Sequence, residues 1–326
     1  MRKLIFFLLL SAWNVLPAQE YYHRSLLLMG SGFGITVVAN DSVTGEGFID
    51  RAIYEIQRIE RLISSWDPKS QTTAINSNAG ISPVKVDQEL FDLMKRSIAI
   101  SKVTDGAFDI SYASMDRIWR FDGSMLEMPS KEMIQNSIRY VGFDKIIFND
   151  EKGTVYLPEK GMKIGFGGIG KGYAADRAKQ LLTNEGVRSG IVNASGDMNT
   201  WGKKLNGDDW KIAITNPLNK EKSFGVISLS NGAIVTSGDY EKFVNFNGER
   251  YSHIIHPKTG MPCKGIISVS VLAPKAELAD ALATSIFVMG IEVGINRINQ
   301  MPNIECIIID EFGGIHQSEN IEIQSL

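Results

Sequence analysis

The chain has 326 residues, 44% of them hydrophobic and 22% charged, with a formal net charge of −3. That apolar content suffices for a sizeable core, and the mild acidic balance argues against nucleic acid as a partner, which would leave a basic footprint. No composition break, proline-rich linker or internal repeat divides the chain, so one domain over residues 19–326 is expected.

Arg2 and Lys3 precede an apolar run at residues 4–10, and Leu16-Pro17-Ala18-Gln19 closes the segment at a small-residue cleavage site near Ala18. This is the layout of a secretory signal peptide over residues 1–18, and its apolar run falls short of the ~20 residues that span a bilayer. Export is therefore expected, with no cysteine near the cleavage site to carry a lipid. Cys263 and Cys306, the only cysteines, are too few for a disulfide scaffold or zinc cluster, and their spacing leaves open whether they pair.

In chain order, residues 26–39 read as two strands broken by a Gly-Ser-Gly turn. A helix is predicted over 47–63, with Ile49, Ile53, Ile56, Ile59, Leu62 and Ile63 on one face. Residues 64–80 form a polar surface loop holding an out-of-place Trp66. Helices follow over 88–102 and 130–141, then a hairpin over 145–158 that turns at 149–153. A glycine-rich stretch leads into another helix, followed by strands at 189–197, 210–215, 225–229 and 233–236. The tail reads as helices over 276–290 and 294–300, with strands at 304–309 and 316–323. The whole is a mixed α+β fold with sheets packed against helices.

The glycine-rich stretch, IGFGGIGKGYAADRAKQLL, fits two phosphate-binding patterns and completes neither. Gly165, Gly167 and Gly170 make a GxGxxG, while residues 165–172 spell GxxxxGK followed by Gly172, where a P-loop needs a hydroxyl. Both patterns bring backbone amides and a helix N-terminus close to an anion. An exported chain meets little ATP, and the missing hydroxyl removes a metal ligand, so the P-loop is disfavoured even though IECIIIDE at 304–311 imitates its acidic strand. No acidic residue ends the strand after the glycine helix, and the next carboxylate, Asp197, follows a further glycine turn. That disfavours a Rossmann dehydrogenase.

Asp280 and Thr284 lie four apart in an alanine-rich helical segment, so they share one face and offer hard oxygens to Mg²⁺. The plain alternative is an acidic residue near a helix start and a threonine bonded back to a carbonyl. Two of the four histidines, His253 and His256, fall in RYSHIIHPKTGMP, a strand running into a turn, where a histidine suits a general base. TDGAFDIS and NASGDMNTWG each set an aspartate beside glycine, either for turn geometry or beside a ligand. Met29 and Trp66 offer apolar surface to a flat aromatic ring.

MGSG, SSWDPKSQTTAIN, TDGAFDIS, GGIGKGYAAD, NASGDMNTWG, TSGDYEKF, YSHIIHPKTG and ELADALATSIFVMG follow one another over residues 29–290. In that order they resemble the ApbE family, the FAD:protein FMN transferases. The resemblance implies a T-fold-like α+β domain that binds FAD as substrate in a cleft with Mg²⁺. It implies transfer of FMN onto a threonine or serine hydroxyl of an exported or membrane-bound redox flavoprotein subunit, with release of AMP.

Carried over by resemblance, the metal ligands are Asp280, Thr284 and the carbonyl of Gly170. The FAD contacts are Met29, Trp66, Ala107, Phe108, Asp109, Gly167, Tyr173 and Ile254, and the base is His253. Relatives often carry Asp where Gly165 stands, and Asp or Asn where His256 stands, which leaves His256 as a second candidate base. The implied location is the periplasm or the outer face of the inner membrane. An FAD pyrophosphatase on the same site and a non-catalytic FAD-binding protein are the alternative readings.

Overall fold

The computed structural model describes residues 19–324 except 126, 220–222, 240–242 and 247. The expected signal segment lies outside the described residues. The chain opens with a hairpin, β1 (Glu20–Leu28) and β2 (Ser31–Ala39), whose turn places both Met29 and Gly30 at positive φ (50° and 70°). Asp41 then caps α1 (Ser42–Ile63) by accepting from Thr44 N at 2.8 Å.

The segment read as a loop holds a short helix, α2 (Gln71–Ser77), started by Ser70, whose hydroxyl accepts from Thr73 N at 2.9 Å. After β3 (Val84–Lys85) and α3 (Gln88–Val103), a 3₁₀ turn over Ile110–Ser114 precedes α4 (Lys131–Ser137). The last is shorter than the expected 130–141 span by one residue at its start and four at its end, giving way to a cluster of turns before Gly142. The hairpin β4 (Ile147–Asn149) and β5 (Thr154–Tyr156) forms as predicted and adds β3 on its other edge.

The glycine-rich stretch leads into α5 (Gly170–Asn184), then β6 (Gly190–Ala194) and β7 (Asp197–Trp201) joined by a turn at Ser195-Gly196. Next come β8 (Trp210–Thr215), β9 (Ser223–Leu229), β10 (Gly232–Gly238) and the hairpin of β11 (Phe243–Phe246) with β12 (Glu249–Ser252). β13 (Ile266–Ala273), α6 (Ala276–Met289), α7 (Ile291–Asn299), β14 (Glu305–Asp310) and β15 (Ile315–Gln317) complete the chain.

The main sheet is antiparallel throughout, in the order β1-β2-β6-β7-β10-β13-β14-β15. Alternation along its strands sends side chains to two different cores. Val192, Val235, Val269, Val271 and Ile308 face the helices α1, α5 and α6, while Ile191, Ile234 and Ile307 face the β8–β9 hairpin on the other side. A third apolar cluster stands apart, built from Trp119, Ile134, Val244, Phe246, Tyr251 and Ile255. Trp119 Nε1 donates to the carbonyl of Gly260 at 2.9 Å and ties that cluster to the turn after His256.

The cysteines are not bonded to one another: Cys306 is buried on β14 and Cys263 half-buried. Burial pushes each thiol up to about 12. No helix among the described residues is long and apolar enough to cross a membrane.

Candidate active site

Two helices that start beside one another define the site, and each caps the other. Gly172, in the first turn of α5, donates its amide to Asp280 Oδ2 on α6 at 3.1 Å. In return Asp176, one turn further along α5, accepts from Ala276 N at 3.0 Å and Glu277 N at 2.9 Å at the start of α6. Neither helix has a side-chain cap from its own N-cap residue, so the reciprocal carboxylates satisfy amides that would otherwise be orphaned. Asn199 Nδ2 holds Asp176 from β7 at 2.6 Å.

This contact explains the incomplete P-loop pattern. A Cβ on Gly172 would stand 2.2 Å from the carbonyl oxygen of Ala276, closer than any side chain tolerates. Glycine is required by the approach of two backbones, not by an unusual φ. The strand that imitated the acidic partner of a P-loop has another use: Asp310 accepts from Phe312 N and Gly314 N and closes the β14–β15 turn.

Replacing Asp176 by alanine is expected to lower stability by about 1–2 kcal/mol, the loss of a helix cap. Thermal unfolding measures it, and Asp176→Asn, which keeps one acceptor oxygen, should lose less.

Around Asp280 the structure gathers a polar group. Asp280 and Asp197 are 3% and 2% exposed, and Lys171 Nζ lies 2.5 Å from Asp197 Oδ2 and 3.8 Å from Asp280 Oδ2. Burial pushes both carboxyls above the usual range; for Asp197 the charge of Asp280 adds to it, and Lys171 opposes it in both. Burial works against the Lys171 ammonium, yet the two carboxylates outweigh it and hold the group above its ordinary value. Thr284, one turn along α6 from Asp280, sets its Oγ1 3.4 Å from Ser237 Oγ at the end of β10. A Cβ on Gly168 would meet Thr284 Oγ1 at 3.3 Å and the Phe108 ring at 3.6 Å.

The glycine loop, Phe108 and Thr284 therefore converge. Met29 joins them, its Cε 3.8 Å from where a Cβ on Gly170 would stand. Gly167 is exposed with open space beside it, so its backbone is accessible to a ligand. The donors are hard oxygens with one carboxylate, and the described residues hold no group of three or more His, Cys, Asp or Glu suited to a metal. That set fits Mg²⁺, which takes few protein ligands and keeps water and phosphate oxygens for the rest.

The other expected residues each have partners of their own. Ala107 is buried, in a cleft that His256 and Lys258 also line. Asp109 is spent on structure: its Oδ1 accepts from Ser111 N at 2.7 Å and Oγ at 2.6 Å, and its Oδ2 from Phe143 N at 3.0 Å. Tyr173 turns towards α3, where its hydroxyl donates to Glu89 Oε1 at 2.7 Å and Arg96 lies 5.5 Å over its ring. Trp66 is 77% exposed, with the Arg117 guanidinium 4.8 Å above it. Gly165 faces Ala113, and a Cβ there would come within 3.1 Å of the alanine methyl.

His253 follows β12, its ring edge-on to Phe121 at 6.4 Å. Arg250 fixes that strand by gripping Asp239 of the TSGD motif, with Nε to Oδ2 at 3.1 Å and Nη2 to Oδ1 at 2.9 Å. Ile254 N donates to Ser252 Oγ, and its carbonyl accepts from Cys263 N at 2.8 Å. His256 is occupied by its own turn: Nδ1 accepts from Lys258 N at 3.1 Å, the bond that an Asp or Asn side chain makes in an Asx turn.

Burial, then the charge of Lys258, holds the His256 imidazole below its usual value. Its contribution to stability is thus full above the unfolded value of about 6.5 and is lost as pH falls through the lowered one. His256→Asn is expected to keep the turn and to flatten this acid-side loss, measured by urea unfolding at neutral and mildly acidic pH.

Lys171 and Ser237 are not among the candidate residues that the sequence marks, and Asp197 is marked only as an aspartate beside glycine, for a turn or a ligand. The lysine signal was present in the GK of the glycine stretch, but its partners come from β7 and α6.

Fold and site together define an α+β protein with a glycine-rich helix start and hard oxygens beside it. A model of the ApbE family matches residues 29–308, and the chain belongs to that family. It is 29% identical to the FAD:protein FMN transferase of Treponema pallidum over 305 residues, covering 88% of this chain and 84% of that protein. A Klebsiella pneumoniae protein of the same name is 28% identical over 290 residues, covering 88% and 89%. Among solved structures, the ApbE protein of Thermotoga maritima superposes with a TM-score of 0.83 at 33% identity, over 92% of this chain and 97% of that one. The flavin transferase ApbE of Vibrio cholerae gives 0.79 at 26% identity, over 94% and 98%.

Proposed function

We propose that this protein, a flavin transferase by its family, moves FMN from FAD onto a threonine or serine hydroxyl of a partner flavoprotein subunit and releases AMP. The observation that carries the reading is the buried Asp280 carboxylate, one turn from Thr284 and set against the glycine-rich start of α5. Asp280, Thr284 and the Gly170 carbonyl would hold Mg²⁺, which when bound draws charge from the pyrophosphate.

The glycine-loop amides and the α5 N-terminus favour the negative diphosphate of FAD. Met29, Trp66, Ala107, Phe108, Asp109, Gly167, Tyr173 and Ile254 are proposed to contact FAD, Tyr173 through its backbone because its hydroxyl is engaged by Glu89. His253 takes the proton from the acceptor hydroxyl. The acceptor oxygen forms a bond to the FMN phosphorus as the bond from that phosphorus to the AMP oxygen breaks. The basic and apolar start of the sequence supports export, with an acceptor among exported or membrane-bound redox proteins.

Incubating the mature chain with FAD and Mg²⁺, with and without a threonine-bearing flavoprotein subunit, tests this. AMP together with a fluorescent acceptor band on a denaturing gel is the expected result. AMP and free FMN regardless of acceptor would replace the transferase by a pyrophosphatase, and intact bound FAD in both tubes by a binding protein.

A further inference from the structure

Behind the glycine turn two buried carboxylates share one ammonium. Asp197 and Asp280 are both nearly inaccessible, and Lys171 is the cation that reaches both. The distances are unequal. Nζ makes a hydrogen bond of 2.5 Å to Asp197, whose other oxygen accepts from Thr236 N at 3.3 Å, whereas it stays 3.8 Å from Asp280. Asp280 is held by a backbone amide instead. The lysine is thus tethered to β7 and only leans on the α6 carboxylate, so a metal ion arriving at Asp280 meets a cation already beside the same carboxylate.

With both carboxyls ionised, the form in which Asp280 could bind a cation, two negative groups and one positive leave the cluster one charge short of neutral. A divalent ion turns that deficit into a single positive charge, which suits a diphosphate. Without the lysine, the same ion would only bring the cluster to neutrality.

We propose that Lys171, pinned by Asp197, is a positioning residue that acts as the resident counter-ion of Asp280: it weakens divalent-cation binding there and strengthens binding of the anionic substrate beside the ion. This rests on the reading of Asp280 as a metal ligand. Loss of the lysine therefore has effects of opposite sign on cation and anion, whereas a merely structural role would weaken both. Loss of Asp197 releases the ammonium onto Asp280 and weakens the cation.

The experiment titrates the purified full-length mature chain with Mn²⁺, reading the free ion by electron paramagnetic resonance, and separately with FAD at saturating Mg²⁺ by flavin fluorescence. Lys171→Gln is expected to bind Mn²⁺ about tenfold more tightly and FAD about tenfold more weakly, and Asp197→Asn to bind Mn²⁺ about tenfold more weakly. Lys171→Arg, which keeps the charge, should return Mn²⁺ binding to within about twofold of wild type.

Mn²⁺ shifts of the same sign in Lys171→Gln and Asp197→Asn, or no shift in either, overturn the proposal. If Lys171→Gln does not fold, Asp197→Asn decides alone: weaker Mn²⁺ binding supports the proposal, and unchanged or tighter binding ends it. Equal Mn²⁺ binding by wild type and Asp280→Asn would instead overturn the metal-ligand assignment underneath.

Discussion

Asp280→Asn is expected to lower FMN transfer by on the order of 10³-fold or more while leaving the fold in place, since the variant loses the charge proposed to hold a metal but little else. The amide oxygen of asparagine can still accept from Gly172 N, which Asp280 now does at 3.1 Å, so the start of α5 stays capped. Lys171 keeps Asp197 as its closer partner. Release of AMP measures the first half of the expectation and thermal unfolding the second. Transfer at the wild-type rate in a folded Asp280→Asn protein would remove the carboxylate from the mechanism.

The second large effect is expected from a substitution that looks like a repair. Gly172→Thr completes the P-loop signature in sequence, yet it is expected to cost the fold about 3 kcal/mol or more and to abolish transfer. The added Cβ would stand 2.2 Å from the Ala276 carbonyl oxygen and 2.9 Å from Glu277 N, against backbone that cannot rotate away. Helices α5 and α6 must separate, and α6 carries Asp280 and Thr284 with it. Gly172→Ala should already show most of the loss. Gly167→Ala, which has nothing within 4 Å of the new methyl, should unfold at the temperature of wild type. Equal melting temperatures for the two alanine variants would sink the close-packing argument.

The part of the candidate site that was legible in the sequence depends on short-range spacing, and the resemblance supplied the other residues. Asp280 and Thr284 come from one helix at the i,i+4 interval, and the glycine stretch announces its own turn into α5. What stayed hidden depends on pairings across long separations. Lys171 and Asp197 are 26 residues apart, and Ser237 and Thr284 are 47 apart, so only the assembled sheet brings them together.

The fold followed the same rule. β13 escaped notice although it lies in the middle of the main sheet, because a strand buried on both faces lacks the polar alternation that marks a half-exposed one. α2 escaped because its composition is polar and its start depends on a single serine cap. The strand expected over 316–323 shrinks to Ile315–Gln317, since it pairs only along the last edge of the sheet.

The separate apolar cluster around Trp119 has a consequence for how the protein can diverge. It surrounds the segment that carries His253, whereas Asp280 and Lys171 are rooted in the helices against the main sheet. Substitutions in one set of side chains therefore leave the packing of the other largely untouched. A lineage could thus reshape the surface around His253 while the paired starts of α5 and α6 keep their geometry.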